Sequence, residues 1–236
     1  IGLVLFSSMV AFITSVFESK LDELRRGRSI VLEKEHTLIL GFGDRIIEII
    51  RELIEANESE PDAAIVILAE NDKEDMDNFI RDNIQDFRTT RVITRSGTVT
   101  NINNLKKVMA ENVKSTIIIN SAASWQPESE KNLADALVLK SIMSIIAVCE
   151  GEKHAPIICE IHSDRDRSLA QNISSGTVKA LNEVSVLSRM IAQLALSRNG
   201  LSVVYGDMVG FDGNEFYFYK PDNGWCEHLT FYESIN

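Results

Sequence analysis

Short apolar runs alternate with helical stretches from His36 onward, and no other feature of the chain constrains its fold as strongly. Each run is four to six residues long, and most are followed by a segment with apolar residues on one helical face. The predicted strands are Thr37–Leu40, Ala64–Leu68, Arg91–Thr94, Ser115–Asn120, Ile157–Ile161 and Val178–Leu181. Strands joined by helices form βαβ units with right-handed crossovers, which build a parallel sheet covered on both faces. The sequence therefore predicts an α/β fold, a doubly wound parallel sheet spanning residues 36–182.

Two glycines follow the first predicted strand and precede a helix, where a dinucleotide-binding turn needs them. Gly41 would allow the sharp turn, and Gly43 would let backbone N–H groups approach a phosphate at the helix N-terminus. Ile46 stands where a third glycine or alanine is expected, and Asp44 places a negative charge where a pyrophosphate would lie. Glu70 ends the second strand, 27 residues after Gly43, in a position suited to binding a ribose. Both a Rossmann-like nucleotide site and a turn without a nucleotide are compatible with this pattern.

Polar residues also follow the third and fifth strands. Ser96 lies between Arg95 and Gly97 and offers a hydroxyl and backbone amides to a ligand, with a plain turn as the alternative. The stretch His162–Asp164 could supply further polar contacts at the same edge of the sheet, because ligands of doubly wound folds lie at the carboxyl ends of strands. The candidate cofactor-binding residues are Gly41, Gly43, Asp44, Glu70 and Ser96.

Carboxylates are dense between Glu70 and Asp86. Oxygen-rich clusters suit a hard cation such as Ca²⁺, and the candidate metal ligands are Glu74, Asp75 and Asp77. The stretch lacks the spacing of an EF-hand loop, and acids are also favoured in the first turn of a helix by the helix dipole. A cation site and a solvated acidic helix start are therefore the two alternatives.

The sequence contains no catalytic constellation. It has no G-x-S-x-G elbow, and its four histidines show no zinc-binding spacing. The three cysteines, Cys149, Cys159 and Cys226, form no C-x-x-C motif, which indicates buried or free thiols in a reducing compartment. We therefore expect a protein that is not an enzyme. The alternatives are an NAD(H)-dependent oxidoreductase, for which no Y-x-x-x-K pair supplies a proton donor, and a soluble nucleotide-sensing transporter subunit.

The charge of the chain excludes one class of partner. Lys and Arg number 24 against 35 Asp and Glu, which gives a formal net charge of −11. Affinity for nucleic acid comes mostly from basic side chains that displace counterions from phosphates. We expect no nucleic-acid partner.

The first residues have the character of a membrane segment. Ile1–Phe17 carries no charge and reaches the lower length limit of a membrane span, and a flank with Lys20, Arg25, Arg26 and Arg28 follows it. Basic flanks mark the cytoplasmic side of a membrane. The sequence predicts the end of a transmembrane helix in residues 1–17, a linker in 18–35 and a cytosolic remainder, with a buried core helix or an amphipathic arm as the alternative.

A strongly apolar helix follows the sheet. Val184–Ser197 carries only Arg189 as a charged residue, and a helix apolar nearly all round must be buried against something. Residues 183–200 are either a crossover arm that packs on a neighbouring subunit or lobe, or a helix that closes the core of its own domain. Residues 201–236 contain the strand-like pieces SVVYG and EFYFYK and predict the start of a second, α+β lobe.

Four stretches of the chain resemble the CASTOR/POLLUX family of ion channels. They are His36–Gly41 (HTLILG), Ile67–Met76 (ILAENDKEDM), Arg95–Gly97 (RSG) and Asp207–Tyr217 (DMVGFDGNEFY). The succession of apolar segment, basic linker, doubly wound domain and crossover helix also resembles the RCK (regulator of potassium conductance) domains of ion channels.

The resemblance implies a cytosolic regulatory domain in a tetrameric cation channel. The last pore-lining helix would end near Phe17, and RCK-like domains of the homo-oligomer would form a gating ring. Because calcium regulates plant members of the family, the resemblance implies Ca²⁺ as a regulator, while a nucleotide ligand stays open. A ligand that binds one state of the ring more tightly would shift the population and pull the linker.

Overall fold

The computed structural model describes residues 2–25, 27, 29–149, 154–173, 176–196 and 201–211. The chain divides into two compact units, Ile1–Leu196 and Ser197–Asn236. The first unit contains the predicted sheet. In the second unit, the described part consists of one helix and the two residues after it.

The elements of the first unit alternate between strand and helix after an N-terminal helix. The strands are β1 (His36–Leu40), β2 (Ala64–Ala69), β3 (Arg91–Ser96), β4 (Val113–Ile118), β5 (Ile157–Glu160) and β6 (Val178–Leu181). The helices are α1 (Gly2–Arg25), α2 (Ile46–Ala56), α3 (Lys73–Asn83), α4 (Ile102–Lys107), α5 (Glu128–Val148), α6 (Asp164–Ile173) and α7 (Glu183–Leu196), and α8 (Leu201–Val209) belongs to the second unit. A short 3₁₀ turn, Ala110–Asn112, precedes β4.

All six predicted strands are present and form one parallel sheet. Their order is β3-β2-β1-β4-β5-β6, with every neighbouring pair parallel. The chain therefore winds outward from β1 in one direction and from β4 in the other, which confirms the doubly wound α/β prediction.

Helices cover both faces of the sheet and divide the core into two layers. Leu38 and Leu40 of β1 pack in the layer under α4 and α5, and Ile39 between them packs in the layer under α2 and α3. All five residues of β1 are buried, as expected for a central parallel strand. This burial on both faces is the reason that the strands are continuous apolar runs in the sequence.

Helix α1 extends past the predicted end of the membrane segment at Phe17 and continues to Arg25. None of the helices in the described part of the chain combines the length and the hydropathy that crossing a membrane takes. The prediction of a transmembrane helix is therefore not confirmed.

Helix α7 contributes no buried side chain to its own unit. Leu187 is 52% exposed and Ile191 is 57% exposed, although both are large and apolar. Helix α7 therefore does not close the core of its own unit, and its packing on a neighbouring subunit or lobe stays a prediction.

The prediction of a strand at SVVYG is wrong. Ser202–Gly206 lies inside helix α8. A short apolar run with two valines is compatible with a helix as well as with a strand, so its periodicity does not distinguish the two kinds of element. The second strand-like piece, EFYFYK, lies outside the described residues, as does Cys226.

His36 gives the fold a dependence on pH. Its ring is 1% exposed and neither ring nitrogen makes a hydrogen bond. Burial lowers the pKa of His36, and the backbone carbonyls of Glu33 and Val108 act more weakly in the opposite direction. The unfolded chain therefore binds a proton at His36 at a higher pH than the folded chain does, and stability falls as the pH drops below about 6.5.

We expect the substitution His36→Leu to make stability less dependent on pH in this range. Leucine fills the site without an unpaired polar group, so the free energy of unfolding at pH 7 should rise by about 1 kcal/mol. Urea unfolding between pH 5 and pH 8 measures both effects. A variant that loses as much stability as the original chain between pH 7 and pH 5 would contradict this account of His36.

Candidate ligand crevice at the carboxyl ends of the strands

A crevice of about 250 Å³ lies at the carboxyl ends of the central strands. It opens where β1 and β4 lie side by side and their connections depart in opposite directions, which is the usual ligand position in doubly wound folds. We call it the carboxyl-end crevice. It is lined by Leu40, Gly41, Glu70, Asn71, Thr98, Val99, Thr100, Ile118, Ile119, Ser121, Ala134, Leu137, Val138 and Ser141.

The two glycines of the first turn have different structural roles. Gly41 has φ +102°, and a Cβ added there would lie 3.0 Å from the backbone oxygen of Ile119. A side chain there would be strained both by the backbone conformation and by the close approach of the Ile119 carbonyl. At Gly43 the nearest atom to an added Cβ is the Ile119 Cγ2 at 3.9 Å, which is ordinary contact. The turn therefore favours glycine at the first position, whereas the second position would accept a small side chain without a clash.

The structure brings only part of the predicted cofactor site together. Gly41 and the exposed Glu70 both line the carboxyl-end crevice. Gly43 and Asp44 lie in the turn before α2 and are not among its lining residues. Ser96 ends β3 and lines a separate, small cavity together with Gly27 and Asn104.

The predicted metal ligands form the start of helix α3. The Asp72 side chain caps the helix and accepts a hydrogen bond from the Glu74 N–H at 2.8 Å. Glu74 and Asp75 are exposed in the first turn, whereas Asp77 forms an ion pair with Lys73 and accepts a hydrogen bond from the Thr94 hydroxyl. These contacts are those of an acidic helix start. Among the residues that the structure describes, no group of three or more His, Cys, Asp or Glu side chains could hold a metal ion.

A buried carboxylate that the sequence did not indicate lies near the carboxyl ends of β4 and β5. Asp135 of α5 is 0% exposed. Its Oδ1 accepts hydrogen bonds from the Asn120 Nδ2 at 2.8 Å and the His162 N–H at 3.0 Å. Its Oδ2 accepts one from the Ser163 N–H at 2.9 Å. Asp135 thereby joins the ends of β4 and β5 to α5, and its only signal in the sequence is a carboxylate in a mostly apolar helix.

An ion-pair network connects the first turn to helix α7. Arg45, next to the N-terminus of α2, pairs with Glu160 at the end of β5 and, at 2.5 Å, with Glu183 at the start of α7. Burial raises the pKa of Glu160, Arg45 opposes this rise, and Glu183 adds to it. The network joins three segments that are far apart in sequence, so no local pattern could have predicted it.

The described cysteines do not suit nucleophilic chemistry. Cys149 and Cys159 are both buried. Burial raises the pKa of the Cys159 thiol to about 12, with a smaller contribution from the charge of Asp135. A thiol with so high a pKa stays protonated at neutral pH, and the thiolate is the reactive form.

Comparisons with known proteins identify the sheet-forming part of the chain. A family model described as "Calcium-activated potassium channel slowpoke-like RCK domain" matches residues 32–159. The chain is 32% identical over 95% of its length to the probable ion channel POLLUX of Arabidopsis thaliana, of which it covers 27%. It is 32% identical over 92% of its length to the ion channel CASTOR of Lotus japonicus, of which it covers 24%. These matches confirm the resemblance to the CASTOR/POLLUX family.

The chain thus spans about a quarter of the length of these curated relatives. Among solved structures, the human SLO3 gating ring matches 82% of the chain with a TM-score of 0.50 and 16% identity, and the chain covers 31% of that structure. At this identity the likeness concerns the fold, and it agrees with the doubly wound sheet described above.

Proposed function

Because the chain belongs to the family of slowpoke-like RCK domains, we propose that it is the cytosolic regulatory part of a tetrameric cation channel. The relatives named POLLUX and CASTOR are ion channels, which supports a regulatory role without chemistry of its own. The oxidoreductase alternative is not favoured, since those relatives are not described as enzymes. In this proposal, α1 belongs to the connection with the pore, and copies of the domain assemble into a gating ring at the membrane.

The carboxyl-end crevice is the observation that supports our proposal of regulation by a ligand. It combines a preformed cavity with a first glycine whose conformation the turn requires, and the second glycine, outside the lining of the crevice, lies in the turn before α2. Backbone N–H groups at a helix N-terminus favour anions, and Glu70, which lines the crevice, is the residue that we propose to bind a ribose hydroxyl. These features support a dinucleotide as one candidate ligand.

Calcium is the second candidate ligand, and it is supported by the description of the matched family rather than by a cluster of ligands. Glu74, Asp75 and Asp77 are the proposed ligands. The exposed Glu74 and Asp75 are available to a cation, while Asp77 would have to exchange its contacts with Lys73 and Thr94. Hard cations prefer such carboxylate oxygens.

A ligand regulates the pore only if it binds the open and closed states of the ring with different affinity. The Arg45–Glu160–Glu183 network offers a place where binding could change the ring. An anion at the first turn would compete with Glu183 for the Arg45 guanidinium, which would loosen the connection to α7. Movement of α7 against a neighbouring subunit would then change the shape of the ring.

Calorimetric titration of the chain with Ca²⁺, NADH and ATP tests the proposal that it binds a regulatory ligand. We expect saturable heat with at least one of the three. Heat with NADH that disappears in the variant Glu70→Gln would place a dinucleotide in the carboxyl-end crevice. Heat with Ca²⁺ that disappears in the triple variant Glu74→Gln, Asp75→Asn, Asp77→Asn would place the cation at the start of α3.

A matched control separates site effects from the loss of negative charge. The triple variant Glu48→Gln, Glu52→Gln, Glu58→Gln removes three other exposed acids and should bind as the original chain does. Absence of heat with all three ligands would contradict the proposal of a ligand-sensing domain.

A further inference from the structure

A groove of about 570 Å³ lies along the outer edge of β3, between that strand and helix α3. We call it the edge groove. Among the residues that the structure describes, none lines both this groove and the carboxyl-end crevice. Its charged lining consists of four basic and two acidic side chains, which are Lys73, Arg81, Arg91, Arg95, Glu33 and Asp77. The groove is thus a basic surface in a chain whose formal net charge is −11.

Arg95 is a half-buried cation that forms no ion pair with any described residue. Its Nε donates to the Ser29 carbonyl at 2.9 Å, and its Nη1 donates to the Thr94 carbonyl at 2.8 Å. Burial lowers the pKa of Arg95, and the charges of Glu33 and Asp77 act more weakly in the opposite direction. Removing a guanidinium from water without a paired anion is unfavourable, so an anion bound beside Arg95 would stabilise this arrangement.

Helix α3 contributes basic side chains from the other wall of the groove. The Thr94 hydroxyl donates to Asp77, which places this face of α3 against β3. Asp77 also pairs with Lys73, four residues earlier on the helix. Arg81 lies four residues after Asp77 and shares this face, and it is exposed and forms no ion pair in the described part of the chain. Arg81 and Arg95 are therefore two cations that are available to a bound anion.

The four cations lie two at each end of the groove. The helix of a βαβ unit runs antiparallel to the strands, so Lys73 of α3 lies toward the same end as Arg95. By the same geometry, Arg81 lies toward the same end as Arg91. About 13 Å of strand separates Arg91 from Arg95, because each residue of a parallel strand advances the chain by about 3.3 Å. One phosphate group cannot reach both ends, whereas a ligand with several phosphate groups can.

Uncharged groups of the groove add further hydrogen-bond donors. Thr90 is 3% exposed, and its hydroxyl has no hydrogen-bond partner among the described residues. In a parallel sheet, the N–H groups of successive residues point to opposite sides of the strand. The Arg91 N–H donates to the Ala63 carbonyl on the side of β2, so the N–H groups of Val92 and Thr94 point to the open edge. Donors without acceptors are unfavourable in a partly closed cavity, and a bound acceptor would satisfy them.

We propose that the edge groove binds an elongated anion that carries two or more phosphate groups. Arg81 and Arg95 supply guanidinium groups that no carboxylate occupies, and a guanidinium binds phosphate oxygens through two parallel hydrogen bonds. The two paired cations add positive charge without leaving their carboxylates. An acidic peptide would bring its own backbone donors to a groove that already offers mostly donors, whereas phosphate oxygens only accept, and this favours a phosphate ligand. The site does not depend on the proposed function, because it lies outside the carboxyl-end crevice.

Calorimetric titration of the full 236-residue chain with sodium tripolyphosphate tests the site. We expect saturable heat and an affinity that falls as ionic strength rises. The double variant Arg81→Gln, Arg95→Gln should bind at least about tenfold more weakly. Arg81 is exposed, so Arg81→Gln alone should leave the fold intact and still weaken binding by about threefold or more.

A matched control separates this site from the loss of positive charge. The double variant Arg165→Gln, Arg189→Gln removes two other exposed arginines and should bind tripolyphosphate as the original chain does. Equal binding by the two double variants would overturn the proposal, because the anion would then lie elsewhere.

Flotation with phosphatidylcholine vesicles, with and without phosphatidylinositol bisphosphate, distinguishes a lipid headgroup from a free phosphate ligand. Additional flotation with the phosphoinositide that is lost in Arg81→Gln, Arg95→Gln would support the site and identify its ligand as a lipid. Binding of tripolyphosphate without additional flotation would support the site and identify a soluble ligand. Binding of poly-glutamate but of neither phosphate probe, or of none of the three, would overturn the proposal.

Discussion

Replacing Asp135 with asparagine should lower the free energy of unfolding by about 3 kcal/mol. Both carboxylate oxygens accept hydrogen bonds, from the Asn120 side chain and from the His162 and Ser163 amides. An amide of the same shape has one accepting oxygen and one NH₂ group, so in either orientation a donor faces a donor. At a fully buried position no water can replace the missing acceptor. Urea unfolding at pH 7 measures the loss.

The exposed Asp82 of α3 provides a matched control for this substitution. Asp82→Asn changes the charge by the same amount without removing a buried acceptor, and its effect on stability should stay within about 0.5 kcal/mol. Equal stability of Asp135→Asn and Asp82→Asn would show that Asp135 does not hold the ends of β4 and β5 to α5.

Alanine substitutions at the two glycines of the first turn should separate folding from binding. Gly41→Ala should lower the free energy of unfolding by about 2–4 kcal/mol, because the added methyl lies against the Ile119 carbonyl in a conformation that alanine rarely adopts. Gly43→Ala should change stability by less than about 0.5 kcal/mol, since nothing lies closer than 3.9 Å to its Cβ. Parallel urea titrations of the two variants give both values.

Nucleotide binding by the same two variants distinguishes a nucleotide site from a turn that binds no nucleotide. If a dinucleotide binds there, its phosphates approach the backbone at Gly43, and the alanine variant should bind NADH at least about tenfold more weakly. A Gly43→Ala chain that is stable and binds NADH as tightly as the original would exclude this turn as the phosphate site. A destabilised Gly43→Ala chain would contradict the structural account of the turn.

The architecture could be predicted because each strand carries its own signal. Central parallel strands are buried on both faces, so β1 and β2 are unbroken apolar runs that need no tertiary information to be recognised. The amphipathic helix α2 is equally plain, with Ile46, Ile47 and Ile50 buried on one face. The local pattern failed at Ser202–Gly206, where β-branched residues lie in a helix.

Contacts between distant segments could not be predicted in the same way. Helix α5 buries Asp135 and leaves Leu133 66% exposed, the reverse of what residue hydrophobicity indicates, because the strand ends supply donors for the carboxylate. Nothing in the sequence shows that the Val31 side chain is buried while that of Leu32 beside it is exposed. The pairing of Arg45 with Glu183 joins residues 138 positions apart. Such features follow from how the elements pack, and a single sequence does not record them.

Ionic current through the channel of which we propose this chain to be a part is the most direct measurement of its proposed regulatory role. The channel would be reconstituted in a planar bilayer, with Ca²⁺, NADH or ATP applied to the cytosolic side. We predict that at least one of them changes the open probability, and that the matching variant, Gly43→Ala for a nucleotide or the triple substitution at Glu74, Asp75 and Asp77 for Ca²⁺, removes the change while current persists. A current that is the same with and without all three ligands would contradict the account.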